Sequence, residues 1–326
     1  MFYDFMRKMG LFLFLSGVML LFAHSAHAQS SLLFTVSPAR QQIVANPGEE
    51  FPVAVTFYNQ GKNSVSGFIK NADFIVEDDK GTPTIIESAA NTSPKYSAAS
   101  WITLPYDRAS IGGNDKVVVY TTLKIPKDAK PGGRYAAIFF EPITSTLQAG
   151  EAGASITPRI ASLLYILVAG PIKEYAFISS MFSKSFYEYG PIEVTAKILN
   201  QSDNHIRPRG SFVLSNPLGG KEEQITLKEA NIFPETQFTF FTPIGQKWML
   251  GNYKISLNAF YGSKEQSMER TISVWVAPWR VIAISFLSVI ILSILGRYFY
   301  KKFIRKETSL KSELSKEKKE IEKLKP

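Results

Sequence analysis

The chain has 326 residues, a formal net charge of +9, no cysteine and three histidines. The missing cysteines exclude a disulfide framework and favour a bacterial surface protein whose domains are held together by hydrophobic cores alone. Most of the excess charge lies at one end, because the residues from Arg297 onward contain eleven Lys or Arg against five Glu. We attribute this basic tail to membrane topology and exclude nucleic-acid binding, since no basic patch with interleaved aromatic residues occurs elsewhere.

The first residues predict a cleaved export signal. A positively charged start is followed by the apolar residues 11–22 and by the small-x-small sequence Ala26-His27-Ala28. This pattern predicts a signal peptide over residues 1–28, with cleavage between Ala28 and Gln29. The following domains are therefore expected outside the cytoplasm.

Residues 29–276 alternate between apolar and polar side chains with a period of two. The alternation is clearest over residues 53–58, 116–125, 192–198 and 253–259, and Pro-Gly, Gly-Gly and Gly-Asn turns separate such segments. Half-buried antiparallel strands at this spacing are typical of β-sandwiches. We predict an all-β fold of two tandem immunoglobulin-like sandwiches, over residues 29–170 and 171–276, with the boundary at Gly170-Pro171.

Each predicted domain has its own features. The apolar run 156–168 predicts a buried last strand for the first domain, whereas 88–100 and 144–155 read as flexible loops. Seven strands are predicted in the second domain, near 172–182, 191–200, 206–214, 221–227, 236–241, 252–260 and 265–276, which is the number in an immunoglobulin-like sandwich.

The C-terminal part predicts a membrane anchor. Residues 281–295 carry no charge, aromatic and basic residues flank them, and a Lys- and Arg-rich segment follows. We predict a single transmembrane helix over 277–300 and a basic, helical cytoplasmic tail over 301–326, oriented by the positive-inside rule. The predicted membrane-interface residues are Trp275, Trp279, Arg280, Arg297, Tyr298, Lys301 and Lys302.

Two stretches resemble a known family. The first domain contains Phe34 to Pro38, Pro47-Gly48, Ser100-Trp101 and the run from Ile125-Pro126 through Pro131-Gly132-Gly133; the second contains Asn200, Pro208-Arg209-Gly210, Leu250-Gly251 and Trp275 to Trp279. These segments resemble the WxL-interacting protein family of Gram-positive bacteria, and the resemblance is that of a remote relative. The resemblance implies a peptidoglycan-binding first domain and a second domain that binds host surfaces or matrix proteins.

Residue types argue against an enzyme. Histidines 24 and 27 leave with the predicted signal peptide, so His205 is the single histidine of the mature chain. A Ser-His-Asp triad, a Cys-His pair and a His/Cys metal cluster are therefore excluded, and we predict neither a metal nor a cofactor. The acidic clusters at 49–50, 77–79 and 222–223 adjoin turns and read as solvated hairpin ends, the alternative being a carboxylate pair or a calcium site.

Three residues are candidates for ligand binding. Trp101 offers an aromatic face for a sugar ring, and Tyr106 and Arg108 follow a Pro-containing turn at which a carboxylate could bind. The competing interpretation of Trp101 is a core residue. His205, with Arg207 and Arg209, either binds an acidic ligand or lies in an exposed loop.

These observations lead to one main hypothesis and two alternatives. The main hypothesis is a non-catalytic, membrane-anchored surface protein that binds peptidoglycan or another surface protein. The first alternative is a spacer or assembly scaffold that captures a protein partner along a strand edge. The second is a wall hydrolase that uses carboxylates alone.

Overall fold

The computed structural model describes residues 33–86, 95–143 and 159–323. The predicted signal peptide, with its Ala28/Gln29 cleavage site, lies outside the described residues, as do the loop 144–155 and most of the loop 88–100. The described part is predominantly β, with one long C-terminal helix.

Eighteen strands and one long helix follow one another along the described chain. The first ten strands are β1 (Phe34–Ser37), β2 (Arg40–Ala45), β3 (Glu50–Asn59), β4 (Val65–Val76), β5 (Pro83–Ile86), β6 (Ile102–Thr103), β7 (Arg108–Ile111), β8 (Asp115–Lys124), β9 (Gly132–Pro142) and β10 (Ile160–Val168). The rest are β11 (Ala176–Phe182), β12 (Phe186–Tyr187), β13 (Ile192–Asn200), β14 (Arg209–Ser215), β15 (Lys221–Thr226), β16 (Gln237–Ile244), β17 (Gly251–Tyr261), β18 (Gln266–Val276) and the helix α1 (Trp279–Lys323).

Two sheets form the first sandwich. One has the strand order β1-β3-β8-β6, and the other has the order β2-β10-β9-β4-β5 with β7 beside β4. β1 and β2 belong to different sheets, so the chain passes from one sheet to the other between Ser37 and Arg40, where the Ser37-Pro38 peptide is cis. β2 pairs with β10 in parallel, whereas the remaining pairs of this sandwich are antiparallel.

Alternation places one face of most strands in a core. In β3, Val53, Val55 and Phe57 are buried and belong to the core between the two sheets, as the period-two pattern predicted. β9 departs from the pattern because ten of its eleven residues are buried. Its second face is covered as well, and the second sandwich supplies part of that cover.

The second sandwich packs the sheet β11-β13-β16 against the sheet β12-β18-β17-β14-β15. Its core contains alternating residues of β13 and β17, among them Val194, Ile198, Ile255 and Leu257. The seven predicted strands correspond to β11 and β13–β18. The two-residue strand β12, parallel to β18, was missed because two residues give no periodicity.

The C-terminal part of the described chain forms one long helix. α1 is continuous over 45 residues, so most of the predicted membrane segment and most of the predicted tail belong to a single helix. The stretch Trp279–Lys316 is long and apolar enough to cross a bilayer, with a mean hydropathy of 2.2 in its 18-residue window and no burial against the protein. Lys301 and Lys302 are good helix formers and carry no breaking signal, which explains the continuity.

Candidate functional site

An aromatic cluster joins the two sandwiches. On the outer face of β9 and β10, Tyr135 and Tyr165 pack with Phe74 of β4 against Phe233 of the second sandwich. The rings of Tyr135 and Phe233 lie 4.9 Å apart in an edge-on arrangement. This geometry is favourable for aromatic pairs and adds to the area that they bury.

Polar contacts surround this cluster. The Gly133 amide donates to the Asp203 carbonyl oxygen at 2.9 Å, and the Thr239 amide donates to the Asp79 carbonyl oxygen at 2.7 Å. Lys95 forms an ion pair of 3.1 Å with Asp203. Because apolar and polar contacts cross the junction together, the two sandwiches hold a defined relative orientation.

His205 lies inside this junction. Its amide donates to the Tyr135 hydroxyl at 2.8 Å, and its ring packs edge-on against Tyr165 at 5.0 Å. Burial, followed by the charges of Arg40 and Arg207, lowers the pKa of His205 to about 4. His205 is therefore partly buried rather than an exposed loop residue, and its imidazole is neutral at pH 7. Binding of an acidic ligand by His205 with Arg207 and Arg209 stays a prediction.

A basic cleft opens beside the junction. It has a volume of about 290 Å³, and its lining includes Arg40 at the start of β2, Lys80, Arg207 and Lys228 together with one carboxylate, Glu229. Arg207 pairs with Glu229 at 3.3 Å. The Arg207 Nε and the Asn231 Oδ1, both from lining residues, are buried and have no hydrogen-bond partner among the described residues. The cleft thus has positive charge, and the Arg207 Nε–H could donate to an acidic group, whereas the Asn231 Oδ1 is an acceptor and requires a donor.

β2 begins at this cleft and forms one edge of its sheet. The carbonyl oxygens of Ala39 and Ala45 accept from Leu163 and Ala169, so backbone groups of odd-numbered residues point toward β10. Since direction alternates along a strand, the N–H and C=O groups of Gln42 and Val44 point toward the open edge. The Val44 side chain is 68% exposed beside them.

Four other edge strands in the described chain, β5, β11, β15 and β16, carry protective features. On β11, Arg270 donates to the Ile178 and Ser179 carbonyl oxygens. β5 begins with Pro83, β16 contains Pro243, and β15 opens with Lys221-Glu222-Glu223. Proline and charged residues are common means of preventing edge-to-edge pairing. β2, with the sequence RQQIVA, has no such residue after Arg40.

The three residues predicted to bind a ligand have different partners. Trp101 ends a 3-10 turn (Ala99–Trp101), packs against the first core and has the Arg134 guanidinium 5.9 Å from its ring centroid. The hydroxyl of Tyr106 donates to the Val118 carbonyl oxygen at 3.3 Å. Arg108 on β7 stacks over Phe68, its register partner on the neighbouring strand β4 of the same sheet, at 5.1 Å. Trp101 is therefore partly buried against the first core, and its role in ligand binding stays a prediction.

The predicted membrane-interface residues lie at and along α1. Trp275 is exposed at the end of β18, Trp279 begins the helix, and Arg280 lies 3.6 Å from Glu188 of the second sandwich. Further along the same helix are the four remaining predicted residues: Arg297, Tyr298, Lys301 and Lys302.

Several residues of this site were not predicted. The sequence gives only a weak signal for Arg40, Gln42 and Val44, which lie in a segment of eight residues between Pro38 and Pro47. The role of Tyr135 in the junction depends on contacts with residues about 70 positions away. The open edge of β2 and the basic cleft depend on the order of the strands in the sheets and cannot be recognised from the sequence alone.

The carboxyl groups of the described residues bear on the alternative of a wall hydrolase. The carboxyl groups with a displaced pKa (Glu49, Asp78, Asp79, Glu141 and Asp203) are all shifted downward, chiefly by hydrogen bonds. A general acid requires the opposite shift. No group of three or more metal-ligating side chains occurs in the ranges that the structure covers.

Comparison with known proteins gives distant likenesses. No protein-family model matches the chain, and no curated protein does. A solved chain from the chaperone–tip adhesin complex of CFA/I fimbriae biogenesis is 13% identical, with 73% of this chain and 98% of that chain covered and a TM-score of 0.38. The class 5 fimbriae chaperone CfaA is 14% identical (73% and 98% covered, TM-score 0.36).

A third likeness is to the CsuC–CsuE chaperone–tip adhesion subunit pre-assembly complex of Acinetobacter baumannii, at 12% identity, with 75% and 99% covered and a TM-score of 0.36. At these TM-scores, the likenesses carry no weight for the function of this chain.

Proposed function

We propose that this chain is a non-enzymatic, membrane-anchored assembly protein that holds a protein partner by adding a strand of that partner to β2. The observation that carries the proposal is the open β2 edge, which after Arg40 lacks the proline and charged residues found on β5, β15 and β16 and begins at a basic cleft. Backbone pairing along an open edge gives affinity for an extended peptide, and neighbouring side-chain sites give selectivity.

The partner is expected to be acidic at one end of its strand. Arg40 starts β2 and also lines the cleft, together with Lys80, Arg207 and Lys228. A strand paired with Gln42 and Val44 would place its end there, where a carboxylate could accept from a guanidinium. The fixed junction supports this function, because a preformed site avoids part of the entropy cost of binding.

The helix α1, as a membrane anchor, supports a position of the two sandwiches at the outer face of a membrane. α1 follows β18 after only Ala277 and Pro278, so the second sandwich lies next to the bilayer if the helix crosses it. The basic residues beyond residue 300 orient the helix with its C-terminal end in the cytoplasm. The two sandwiches, for which we retain the immunoglobulin-like description, then lie outside.

Site-specific photocrosslinking in intact cells tests the proposal. A photoreactive side chain at Gln42 should crosslink to one defined protein, whereas the same probe at Glu222 on the charged β15 edge should not. Val44→Pro removes an outward N–H group, because proline has no amide hydrogen, and should abolish the Gln42 crosslink. Val44→Thr keeps that group and serves as the matched control. Equal crosslinking at both edges, or a crosslink that survives Val44→Pro, contradicts the proposal.

A further inference from the structure

Apolar side chains are exposed at the end of the second sandwich from which α1 emerges. We call this surface the rim and define it by Phe186, Leu218, Trp248, Leu250 and Trp275. Their exposed fractions reach 96% for Leu218 and are 62% and 63% for Trp248 and Leu250. Soluble protein surfaces rarely collect large apolar side chains in this way unless the patch has a partner.

The strand pairings place these residues at one end. Val276, the last residue of β18, lies opposite Gly251, and Ile192 at the start of β13 lies opposite Ile244 at the end of β16. The segments 183–191, 216–220 and 245–250 connect strands at this end. The rim residues come from these segments and from the end of β18.

Contacts between the connecting segments hold the rim together. The Gly190 amide donates to the Lys247 carbonyl oxygen at 3.1 Å, and the rings of Tyr189 and Trp248 meet edge-on at 5.3 Å. Gly251 has a positive φ of 117° and approaches Pro217 so closely that a Cβ would lie 2.5 Å from the Pro217 Cγ. The turn carrying Leu218 is thereby fixed against the segment carrying Leu250.

The rim is also tied to the start of α1. The Trp275 amide donates to the Ser185 carbonyl oxygen at 2.9 Å, and the Ala277 amide donates to the Tyr187 carbonyl oxygen at 3.0 Å. Arg280, in the first turn of the helix, lies 3.6 Å from Glu188. A helix that crosses the bilayer therefore brings the rim to the membrane surface.

We infer that the rim docks into the outer leaflet of the membrane that α1 crosses, which rests on the membrane anchoring in the proposed function. Its composition fits the interface: tryptophan and leucine can enter the headgroup region, and Lys184 and Lys247 can contact lipid phosphates. Docking would set the tilt of the second sandwich and, through the rigid junction, the height and direction of the β2 edge.

Depth measurements on the full chain test this inference. The sequence has no cysteine, so single substitutions Leu218→Cys, Leu250→Cys, Lys264→Cys and Ile284→Cys each give one site for a bimane label. Lys264 is exposed in the turn between β17 and β18, at the opposite end of the sandwich, and Ile284 reports on α1. The labelled proteins are placed in nanodiscs of phosphatidylcholine and phosphatidylglycerol with doxyl-labelled lipid as the quencher.

The expected result is strong loss of fluorescence at residues 218, 250 and 284 and little loss at 264. Quenching at 284, with 218 and 250 no more quenched than 264, overturns docking and leaves the anchor intact. Absence of quenching at 284 overturns the anchor itself. A second variant excludes an effect of the label position. It carries bimane at Gln246→Cys together with Leu218→Glu and Leu250→Glu, and its quenching should be weaker than that of Gln246→Cys alone. Unchanged quenching would also overturn docking.

Discussion

The two ends of the second sandwich both carry large apolar side chains, and they use them differently. At the junction end, Phe233 is 5% exposed and contacts three aromatic residues of the first sandwich. At the other end, Leu218, Trp248 and Leu250 are mostly exposed. Apolar side chains at each end of this sandwich thus mark a contact, which is internal at one end and is expected with lipid at the other.

The largest expected effect is that of removing Phe233. Phe233→Ala should lower the free energy of unfolding by about 3–5 kcal/mol, because it opens a cavity between two sandwiches. Leu218→Ala should change it by less than about 0.5 kcal/mol in detergent, since the exposed leucine loses no protein contact. Guanidinium titrations of the full-length variants measure both values. Similar losses for the two variants would show that the two ends do not differ in this way.

Acidification should weaken the junction before it affects the rim. The pKa of His205 falls from 6.5 to about 4 on folding, so the unfolded chain binds more protons between these values. The stabilisation is fully present above pH 6.5 and is lost as the pH falls toward 4, by up to roughly 3 kcal/mol. Asp203 and Glu141, whose pKa values are lowered, remain ionised through most of that range.

Unfolding free energies measured from pH 7 to 4.5 check this prediction. The matched control is His205→Gln, which keeps a polar side chain without a group that titrates in this range. The dependence of the unfolding free energy on pH that the wild type shows should disappear in His205→Gln. If it persists, groups other than His205 cause it.

A smaller effect is expected from one hydroxyl group. Tyr135→Phe removes the acceptor of the His205 amide and should cost about 1–3 kcal/mol, because a buried N–H is left without a partner. Tyr96→Phe is the control, since the hydroxyl of Tyr96 donates to the exposed carboxylate of Glu235 and should cost about 1 kcal/mol or less. Denaturant titrations measure the loss of unfolding free energy in both variants. Equal losses would mean that the hydrogen bond between Tyr135 and His205 stabilises the fold no more than the exposed one.

Much of the strand pattern could be predicted from the sequence. Period-two alternation identified β3, β8, β13 and β17 because one face of each meets a core. The pattern could not distinguish a face covered by its own sandwich from one covered by the next domain, so the double burial of β9 was not expected.

The site was less predictable than the fold. His205 stands among polar residues, and nothing local indicates that Tyr135 and Phe233 enclose it. The outer edge of β2 is unpaired because the preceding strand, β1, belongs to the other sheet, and this arrangement is a property of the topology. The apolar residues of the rim are spread over 90 positions and come together only because their strands end at the same level.

The smallest effect is expected from the surface residues Tyr106 and Arg108. Tyr106→Ala with Arg108→Ala removes a long hydrogen bond and a stacking contact over Phe68, worth together about 1 kcal/mol. If the chain acts through β2, co-sedimentation of the full-length protein with purified sacculi should be equally weak for the variant and the wild type. Saturable sedimentation of the wild type that the double substitution abolishes would instead support the wall-polymer hypothesis. It would also show that an exposed polar surface of the first sandwich, as well as an exposed apolar end of the second, marks a contact with something outside the chain.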